Sequence, residues 1–157
     1  MVLRAATEAD LPDLVRLNAY VLDLHARHEP GHFKPSSDDP GPADMFRKLL
    51  ADAAACLVVA EEGEAVVGSF YAQDVAREES WIRPASRTFM LEHLVVDPAF
   101  RRKGIGQALI NRFFDEARTR GIFRVGLFCW NFNEDGRRFF RRHGFAELHA
   151  RYERELI

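Results

Sequence analysis

The sequence has little cysteine and almost no excess of charge of either sign. Only two of its 157 residues are cysteines, Cys56 and Cys129, and they lie far apart in apolar segments. This usage indicates reduced core thiols rather than a disulfide framework, and no ligand spacing indicates a zinc or other metal site. The formal net charge of -2 gives no support to a nucleic-acid or anionic-membrane partner.

The chain also lacks a segment that would place it in a membrane or direct it out of the cell. Residues 1–4 enter a strand-like stretch with no apolar signal region before it. No apolar run reaches the roughly 20 residues that a membrane-spanning helix needs. We therefore expect a cytoplasmic protein. With 47% hydrophobic and 29% charged residues, the composition predicts a single domain over residues 1–157.

Hydrophobic periodicity predicts secondary structure in the order β-α-α-β-β-β-α-β-α-β. Strands are predicted over residues 2–4, 56–61, 65–73, 88–96, 123–128 and 145–155. Helices are predicted from a start marked by Thr7 and Asp10 to about residue 28, and over about 43–53, 104–120 and 134–143. A Glu-Gly-Glu turn at 62–64 predicts that the second and third strands form an antiparallel hairpin. This order predicts a mixed α/β fold in which helices flank a largely antiparallel central sheet.

Two segments have no such period. Residues 29–42 contain four prolines and two glycines and cannot form a regular element. A loop of this length inside a compact domain is a candidate substrate-binding segment. Residues 74–87 are polar and are also predicted to connect two strands.

The most informative motif is Arg-Arg-Lys-Gly-Ile-Gly at residues 101–106, between a predicted strand and a predicted helix. Gly104 and Gly106 let the backbone approach a ligand and direct amide groups toward it, where the helix dipole favours anions. Arg101, Arg102 and Lys103 add cationic side chains that suit a ligand with several phosphate charges. The motif therefore predicts a pyrophosphate-binding loop.

Two other phosphate-binding loops do not fit this context. The Walker loop ends in Gly-Lys-Ser/Thr, whereas Gly106 is followed here by Gln107 and Ala108. The dinucleotide fingerprint requires a third glycine at a position that Leu109 occupies.

Residues 91–106, which begin Leu-Glu-His-Leu-Val-Val-Asp-Pro, resemble the acetyl-CoA-binding motif of the GNAT superfamily of N-acetyltransferases. The family's loop has the pattern Arg/Gln-x-x-Gly-x-Gly/Ala, and residues 101–106 match it fully. The resemblance implies the GNAT fold over nearly the whole chain. It also implies transfer of an acetyl group from acetyl-CoA to a primary amine of a small molecule or of a peptide or protein.

A second family signature, Asn-x-x-Ala-x-x-Phe-Tyr-x-x-x-Gly-Phe, supports the same resemblance. Asn133, Phe139, Gly144 and Phe145 match it, while Gly136 replaces the alanine and Phe140 the tyrosine. In many members that tyrosine hydroxyl is thought to protonate or stabilise the leaving thiolate, which Phe140 cannot do. Water, His143 or Cys129 are the alternatives for this role.

Glu92 is the predicted catalytic base. Attack on a thioester needs an uncharged amine, so a base must take a proton from the substrate. Strand alternation predicts that Glu92 shares a face with Leu94 and Val96. The resemblance supports this assignment because polyamine-type members carry a glutamate in this strand, although His93 departs from their pattern. The structural alternative is a carboxylate paired with a nearby arginine.

The resemblance further implies the residues that hold the cofactor. Backbone groups of residues 94–96 would pair with the pantetheine arm, and one of those amides would polarise the acetyl carbonyl. Asn133 would lie beside the arm, although an Asn at this position can also cap the last helix. The predicted cofactor-binding residues are Leu94, Val95, Val96, Arg101, Arg102, Lys103, Gly104, Ile105, Gly106, Gln107, Asn133 and Phe140.

Several alternatives stay open. The chain could be a non-catalytic acyl-CoA-binding regulatory module, or an RNA-binding module that uses the arginines of residues 137–142. The same arginines could instead hold the nucleotide phosphate or form a solvated helix face. His25, His28 and His32, with nearby acidic residues, could hold a metal ion. Acidic residues at 38–39 and 78–79 would suit a cationic amine. The predicted strand over 145–155 could pair across a homodimer, as in many members of the family that the chain resembles.

Overall fold

A mixed five-stranded sheet flanked by helices forms the fold of this protein, in a computed structural model that describes residues 1–156. The sheet has the order β1-β2-β3-β4-β5, with antiparallel neighbours except for the parallel pair β4 and β5. The predicted mixed, largely antiparallel sheet is confirmed. The strands are β1 (Val2–Ala5), β2 (Ala55–Glu62), β3 (Ala65–Arg77), β4 (Ser86–Val96) and β5 (Val125–Leu127), and the helices are α1 (Leu11–His28), α2 (Gly41–Ala51), α3 (Ile105–Thr119) and α4 (Glu134–Arg142).

Helices cover both faces of the sheet, and each face has its own apolar core. On one face, which we call the α3 face, Phe113 of α3 packs against Phe70 and Phe89 of the sheet. On the opposite α1/α2 face, α1 and α2 bury Leu17 and Phe46 against the sheet. None of the helices within residues 1–156 is long and apolar enough to cross a membrane.

Gly68 lets α3 lie close to the middle of the sheet. A Cβ atom at this position would lie 2.9 Å from the Val95 carbonyl oxygen and 3.2 Å from a methyl group of Leu109. A larger residue would therefore push α3 outward. This close packing fixes the first turn of α3 beside the C-terminal end of β4.

A β-bulge at Glu92 interrupts the pairing of β4 with β3. The adjacent residues Tyr71 and Ala72 of β3 pair with His93 and Leu91, which leaves Glu92 as the extra residue on β4. A bulge of this kind bends the strand and shifts the side chains beyond it by one position.

The shift makes one sequence prediction wrong. Leu94 and Val96 pack on the α3 face, as does Leu91, although two residues separate Leu91 from Leu94. Glu92 therefore does not alternate with Leu94 and Val96 on a single face. It lies next to His93, which stacks on Tyr71 on the α1/α2 face.

β5 is shorter than the predicted strand and leaves half of β4 without a partner on that side. Pairing joins only Phe89, Met90 and Leu91 to residues 125–127. Among the described strands, β3 alone pairs with residues 92–96 of β4. Phe123 and Phe128, which the prediction placed in the strand, lie outside it and are 88% and 74% exposed.

The predicted last strand over residues 145–155 is wrong, because residues 145–156 form neither helix nor strand. The alternation of apolar and charged residues is present, but a strand also needs a neighbour that accepts its backbone hydrogen bonds. No strand of the same chain pairs with this segment within residues 1–156. Its apolar side chains are left in solvent, with Leu148, Tyr152 and Leu156 each at least 86% exposed.

Both predicted loops are shorter than expected. α2 begins at Gly41 because Pro42 fits the first turn of a helix, where its missing N–H costs nothing. The β3–β4 pairing continues to Arg77 and Ser86, well inside the predicted 74–87 connection. An ion pair between Asp74 and Arg87 joins the two strands there.

Candidate functional site

A cleft of about 540 Å³ lies where the end of β4 meets the first turn of α3 and the last turn of α4. It brings together the end of the strand, the glycine-containing loop and the face of a helix more than 30 residues later. Seven of the predicted cofactor-binding residues line it: Val96, Arg101, Arg102, Gly104, Ile105, Gly106 and Gln107.

The backbone of the loop adopts a conformation suited to binding an anion. Arg102 and Gly104 both have left-handed backbone angles, with φ of 62° and 81°, and Arg102 is the only non-glycine residue with positive φ within residues 1–156. The side chain of Arg101 donates from Nε to the Val96 carbonyl at 3.3 Å and so holds the loop against β4. Successive amides in such a turn form a concave anion site, and the strain at Arg102, of the order of 1–3 kcal/mol, indicates a functional constraint.

The charged side chains that line the cleft are mainly cationic. Arg101, Arg102 and Arg142 line it, and the residues lining it include no carboxylate. The first turn of α3 adds the positive end of a helix dipole. Lys103 is the exception among the predicted cations, because it lies outside the lining with Nζ 4.7 Å from the centre of the Phe100 ring. The cleft is therefore suited to a ligand with several negative charges.

Three lining residues come from α4 and the position that follows it: Phe139, Arg142 and His143. They are outside the predicted cofactor-binding set, although Arg142 belongs to the arginine run that was an alternative phosphate contact. Their spacing of three and four residues places them on one face of the helix, which is the signal that could have identified them. His143 Nδ1 donates to the Phe139 carbonyl at 2.7 Å, and its Nε2 is hydrogen-bonded to the side-chain amide of Gln107 at 2.8 Å. This second bond ties α4 to α3 across the cleft.

Asn133 and Phe140 do not line the cleft. The Asn133 side chain accepts a hydrogen bond from the Gly136 amide at 3.0 Å and so caps α4. A Cβ atom at Gly136 would lie 2.7 Å from the Asn133 side chain, so the glycine lets that side chain lie close to the helix backbone. Phe140 contacts the rings of Phe139 and Phe145 at the edge of the α3-face core.

From the cleft, the unpaired edge of β4 leads to Glu92. Leu94 is half-buried and Val95 is buried, so this part of the strand presents mainly its backbone to a ligand. Glu92 lies four residues before Val96, which is about 13 Å at roughly 3.3 Å per residue. A ligand that reaches both the loop and Glu92 must therefore be long and narrow.

Glu92 is exposed and takes part in no ion pair formed within residues 1–156. The arginine partner of the structural alternative is therefore not seen. Burial of the Tyr71 phenol raises its pKa, and the nearby negative charge of Glu92 raises that pKa further. Glu92 and Tyr71 thus lie close together at the bulge.

His93 is the least expected residue of the site. It is 9% exposed and stacks on Tyr71 with ring centres 5.5 Å apart. Both of its ring nitrogens are buried without a hydrogen-bond partner, a state that costs roughly 1–3 kcal/mol for each such group. Burial lowers the pKa of His93 to about 4, with a smaller contribution from the nearby His25. His93 is therefore an uncharged imidazole at neutral pH.

A group of aromatic and imidazole rings surrounds His25, the residue whose charge also acts on His93. His25 contacts the rings of Phe33 and Phe132 at centre distances of 4.8 and 5.3 Å, and Trp130 contacts Phe33 at 5.2 Å. Phe33 belongs to the predicted substrate-binding loop, so the structure packs that loop against His25. We call this set the ring cluster; its members are His25, His28, His32, Phe33, Trp130 and Phe132.

The metal alternative finds no support in the ring cluster. Nδ1 of His25 donates to the Val21 carbonyl and Nδ1 of His28 to the Leu24 carbonyl, which ties both rings to their own helix. Residues 1–156 contain no group of three or more histidine, cysteine or acidic side chains that could hold a metal ion.

Other predicted features lie away from the site or are otherwise engaged. Glu78 and Glu79 follow β3, about 20 Å along the hairpin from Tyr71, so they do not adjoin Glu92. Within the arginine run, Arg137 and Arg141 form ion pairs with Glu147. Burial raises the pKa of the Cys129 thiol, which keeps it protonated at neutral pH.

Comparison with known proteins gives one family. Residues 19–145 match the model of the Acetyltransferase (GNAT) family. Glucosamine 6-phosphate N-acetyltransferase 1 of Oryza sativa subsp. japonica is 32% identical over 102 residues, which cover 65% of this chain and 60% of that protein. The chain thus spans less than two thirds of that relative, and it spans 33% and 25% of two further curated relatives.

Solved structures share the fold. The tetramutant of the BH1408 protein from Bacillus halodurans has a TM-score of 0.93 at 21% identity, over 99% of this chain and 100% of that one. A predicted acetyltransferase from Clostridium acetobutylicum, solved with acetyl-CoA, has a TM-score of 0.73 at 19% identity, over 98% of this chain and 95% of that one. At these identities the likeness concerns the fold.

The buried, uncharged state of His93 predicts a stability that depends on pH. Between an ordinary histidine pKa near 6.5 and about 4, the unfolded chain takes up a proton at His93 that the folded chain does not, so the free energy of unfolding falls as the pH falls. The free energy of unfolding should therefore fall by roughly 2–3 kcal/mol less in His93→Phe than in the unaltered chain when the pH is lowered from about 7 to 4.5.

Urea unfolding of both proteins at the two pH values measures this difference. His149→Phe, at an exposed position, serves as the control and should keep the pH dependence of the unaltered protein. An identical loss of stability in His93→Phe and the unaltered chain would contradict the assignment.

Proposed function

We propose, from the premise that this chain belongs to the GNAT family of acetyltransferases, that it transfers the acetyl group of acetyl-CoA to a primary amine of a small molecule, peptide or protein. One observation carries the proposal. A cationic cleft with a left-handed loop continues along an unpaired strand edge to an exposed carboxylate. Acetyl-CoA has the matching parts, which are a charged end, a narrow arm with amide groups and a terminal thioester.

The cleft fits the phosphate end of acetyl-CoA. The amides of residues 104–106 and the side chains of Arg101 and Arg102 would hold the pyrophosphate, and Arg142 would add charge from α4. The space beside Gly104 is open, since a Cβ atom there would meet nothing within 4 Å. Lys103, Ile105 and Gln107 complete the proposed set, with Lys103 acting only by its charge.

The open edge of β4 suits the pantetheine arm. Backbone groups of residues 94–96 have no neighbour on the β5 side within the described chain, so they are available to pair with the amides of the arm. An amide at this edge would also polarise the acetyl carbonyl. Asn133 and Phe140 remain proposed contacts beside the arm, with the Asn133 side-chain oxygen already engaged in capping α4.

Glu92 is the proposed base. Its exposed carboxylate would take a proton from the ammonium form of the substrate, whose pKa is near roughly 10, and the amine would then attack the thioester carbonyl. The C–S bond then breaks, because a thiol with a pKa near roughly 8.5 leaves readily as a thiolate, and the second proton lost from the attacking nitrogen can reach that thiolate through water. Transfer therefore does not require an acid at the position of Phe140.

The test is release of free thiol from acetyl-CoA in the presence of a panel of primary amines, including small amines and peptide N-termini. The proposal predicts release that depends on one class of amine and saturates with acetyl-CoA. Tight binding of acetyl-CoA without release for any amine would favour the non-catalytic regulatory module. Binding to RNA that falls steeply with salt and ignores CoA would favour the RNA-binding alternative.

The phosphate loop can be tested with a matched pair of glycines. Gly104 and Gly63 both have left-handed φ angles, and a Cβ atom at either would meet nothing within 4 Å. Gly104→Glu and Gly63→Glu should therefore lower stability by similar amounts. Only Gly104→Glu places a carboxylate among the proposed phosphate contacts, so it alone should weaken acetyl-CoA binding, at least about 100-fold, in calorimetric titration. Equal affinity of the two variants for acetyl-CoA would show that the loop of residues 101–106 does not bind its phosphates.

The role of Glu92 is tested by Glu92→Gln, which keeps the size of the side chain and removes the base. We expect kcat to fall by about 10²–10⁴-fold at neutral pH, with unchanged affinity for acetyl-CoA. Glu79→Gln is the matched control, since Glu79 is an exposed carboxylate near the far end of the β3–β4 hairpin, and it should leave the rate unchanged. Full activity of Glu92→Gln across the pH range would show that another group takes the proton.

The protein is further proposed to form a homodimer through residues 145–156. Even-numbered residues of this segment are mainly apolar and odd-numbered ones mainly charged, and Leu148 and Tyr152 are about nine-tenths exposed. The segment lies near the open β5 side of the sheet, where His149 contacts the exposed Phe128 ring. A second copy that pairs here would bury these side chains and satisfy their backbone groups.

Sedimentation equilibrium measures the dimer directly. The unaltered chain should have twice the 18.0 kDa mass of one copy, and the double change Leu148→Lys with Tyr152→Lys should give the single mass. Ile82→Lys, an exposed apolar residue at the hairpin tip, should remain dimeric. A monomeric unaltered protein would refute the proposed pairing.

A further inference from the structure

We propose that His93 is the residue that holds the uncharged acceptor amine beside Glu92, by accepting a hydrogen bond from the amine N–H through a ring nitrogen. The proposal rests on the acetyl transfer proposed above and names a second residue of the acceptor site. In this proposal Glu92 first takes a proton from the acceptor, and the neighbouring His93 then holds the uncharged amine.

The proposal rests on the absence of any hydrogen-bond partner for the buried His93 ring within residues 1–156. Its two nitrogens are the only buried side-chain polar atoms without a hydrogen-bond partner within residues 1–156. Packing alone does not account for an imidazole here, because a phenyl ring would stack on Tyr71 without leaving polar atoms unpaired. Buried polar groups without a partner are rare, and a ligand that supplies the partner is one physical explanation.

The position of the ring relative to Glu92 gives the order of events. Glu92 is exposed, so its carboxylate meets the ammonium form of the substrate at the surface, takes its proton and passes that proton on to water. His93 is buried and uncharged, and it offers a lone pair to an N–H group rather than a charge to an ammonium. The uncharged amine that results from proton loss is the form that a neutral imidazole in a dry site accepts.

The ring cluster is the part of the structure through which an acceptor could reach the ring. Its member His25 lies close enough to His93 for its charge to lower the His93 pKa, and the two sides of the cluster come from residues 25–33 and residues 130–132. Ring contacts join these sides, and the cluster's hydrogen bonds within the described chain run to each side's own backbone or to Glu153. An acceptor can therefore part the rings without breaking a hydrogen bond between them.

The test compares His93→Phe with Ser69→Ala. Ser69 is a buried polar residue on β3 that pairs with Val95, so its side chain is on the same face as His93 and lies outside the proposed site. His93→Phe keeps the ring and removes both nitrogens. Its kcat/KM for the amine should fall at least tenfold, its KM for acetyl-CoA should stay unchanged, and its melting temperature at pH 7.5 should be equal or higher. Ser69→Ala should keep the rate of the unaltered protein.

Two amide variants show which ring nitrogen of His93 accepts the hydrogen bond. They also keep the proposal testable if His93→Phe fails to fold. The amide of His93→Asn lies near the position of Nδ1 and that of His93→Gln near Nε2, and one of them should recover part of the lost rate. Unchanged kcat/KM in His93→Phe would overturn the proposal. So would two folded amide variants as slow as His93→Phe. If the unaltered chain released no thiol with any amine, the proposed transfer itself would fail, and the role of His93 with it.

Discussion

Beyond Leu91 and Leu127, β4 and β5 separate, and the candidate site depends on the backbone edge that this separation leaves on β4. The edge begins at the bulge that carries Glu92 and ends at Val96, next to the loop of residues 101–106. α3 is held at that end because Gly68 lets it pack directly on the sheet. One gap between strands thus connects a cationic loop to a carboxylate about 13 Å away along the strand.

The bulge at Glu92 determines the chemistry available at the far end of that edge. Without the bulge, strand alternation would place the His93 side chain in the α3-face core with Leu91. Only Glu92 would then lie on the α1/α2 face. With the bulge, His93 stacks on Tyr71 and Glu92 lies close to the same phenol. The cost is a buried imidazole with two unsatisfied nitrogens, which is the kind of local penalty that proteins retain where a site requires it.

The parts of the fold and site that depend on residues close together in the sequence could be predicted. The loop of residues 101–106 could be identified because its glycines, its cations and the following helix are consecutive, and the α3 core residues follow from helical spacing. The bulge could not, since strand alternation assumes an unbroken register with a partner strand. The last strand was predicted from alternation alone, and alternation does not supply the strand that must pair with residues 145–156. Phe139, Arg142 and His143 join the cleft only because the fold brings α4 beside the loop.

Hydrogen–deuterium exchange with and without acetyl-CoA tests the central claim most directly, because that claim concerns backbone amides. Binding along the open edge should slow exchange at residues 94–96 and at residues 104–106 together, and leave the β3–β4 hairpin tip at residues 78–85 unchanged. Saturating acetyl-CoA that slowed exchange at the loop but left residues 94–96 unchanged, or that protected another surface instead, would contradict the account.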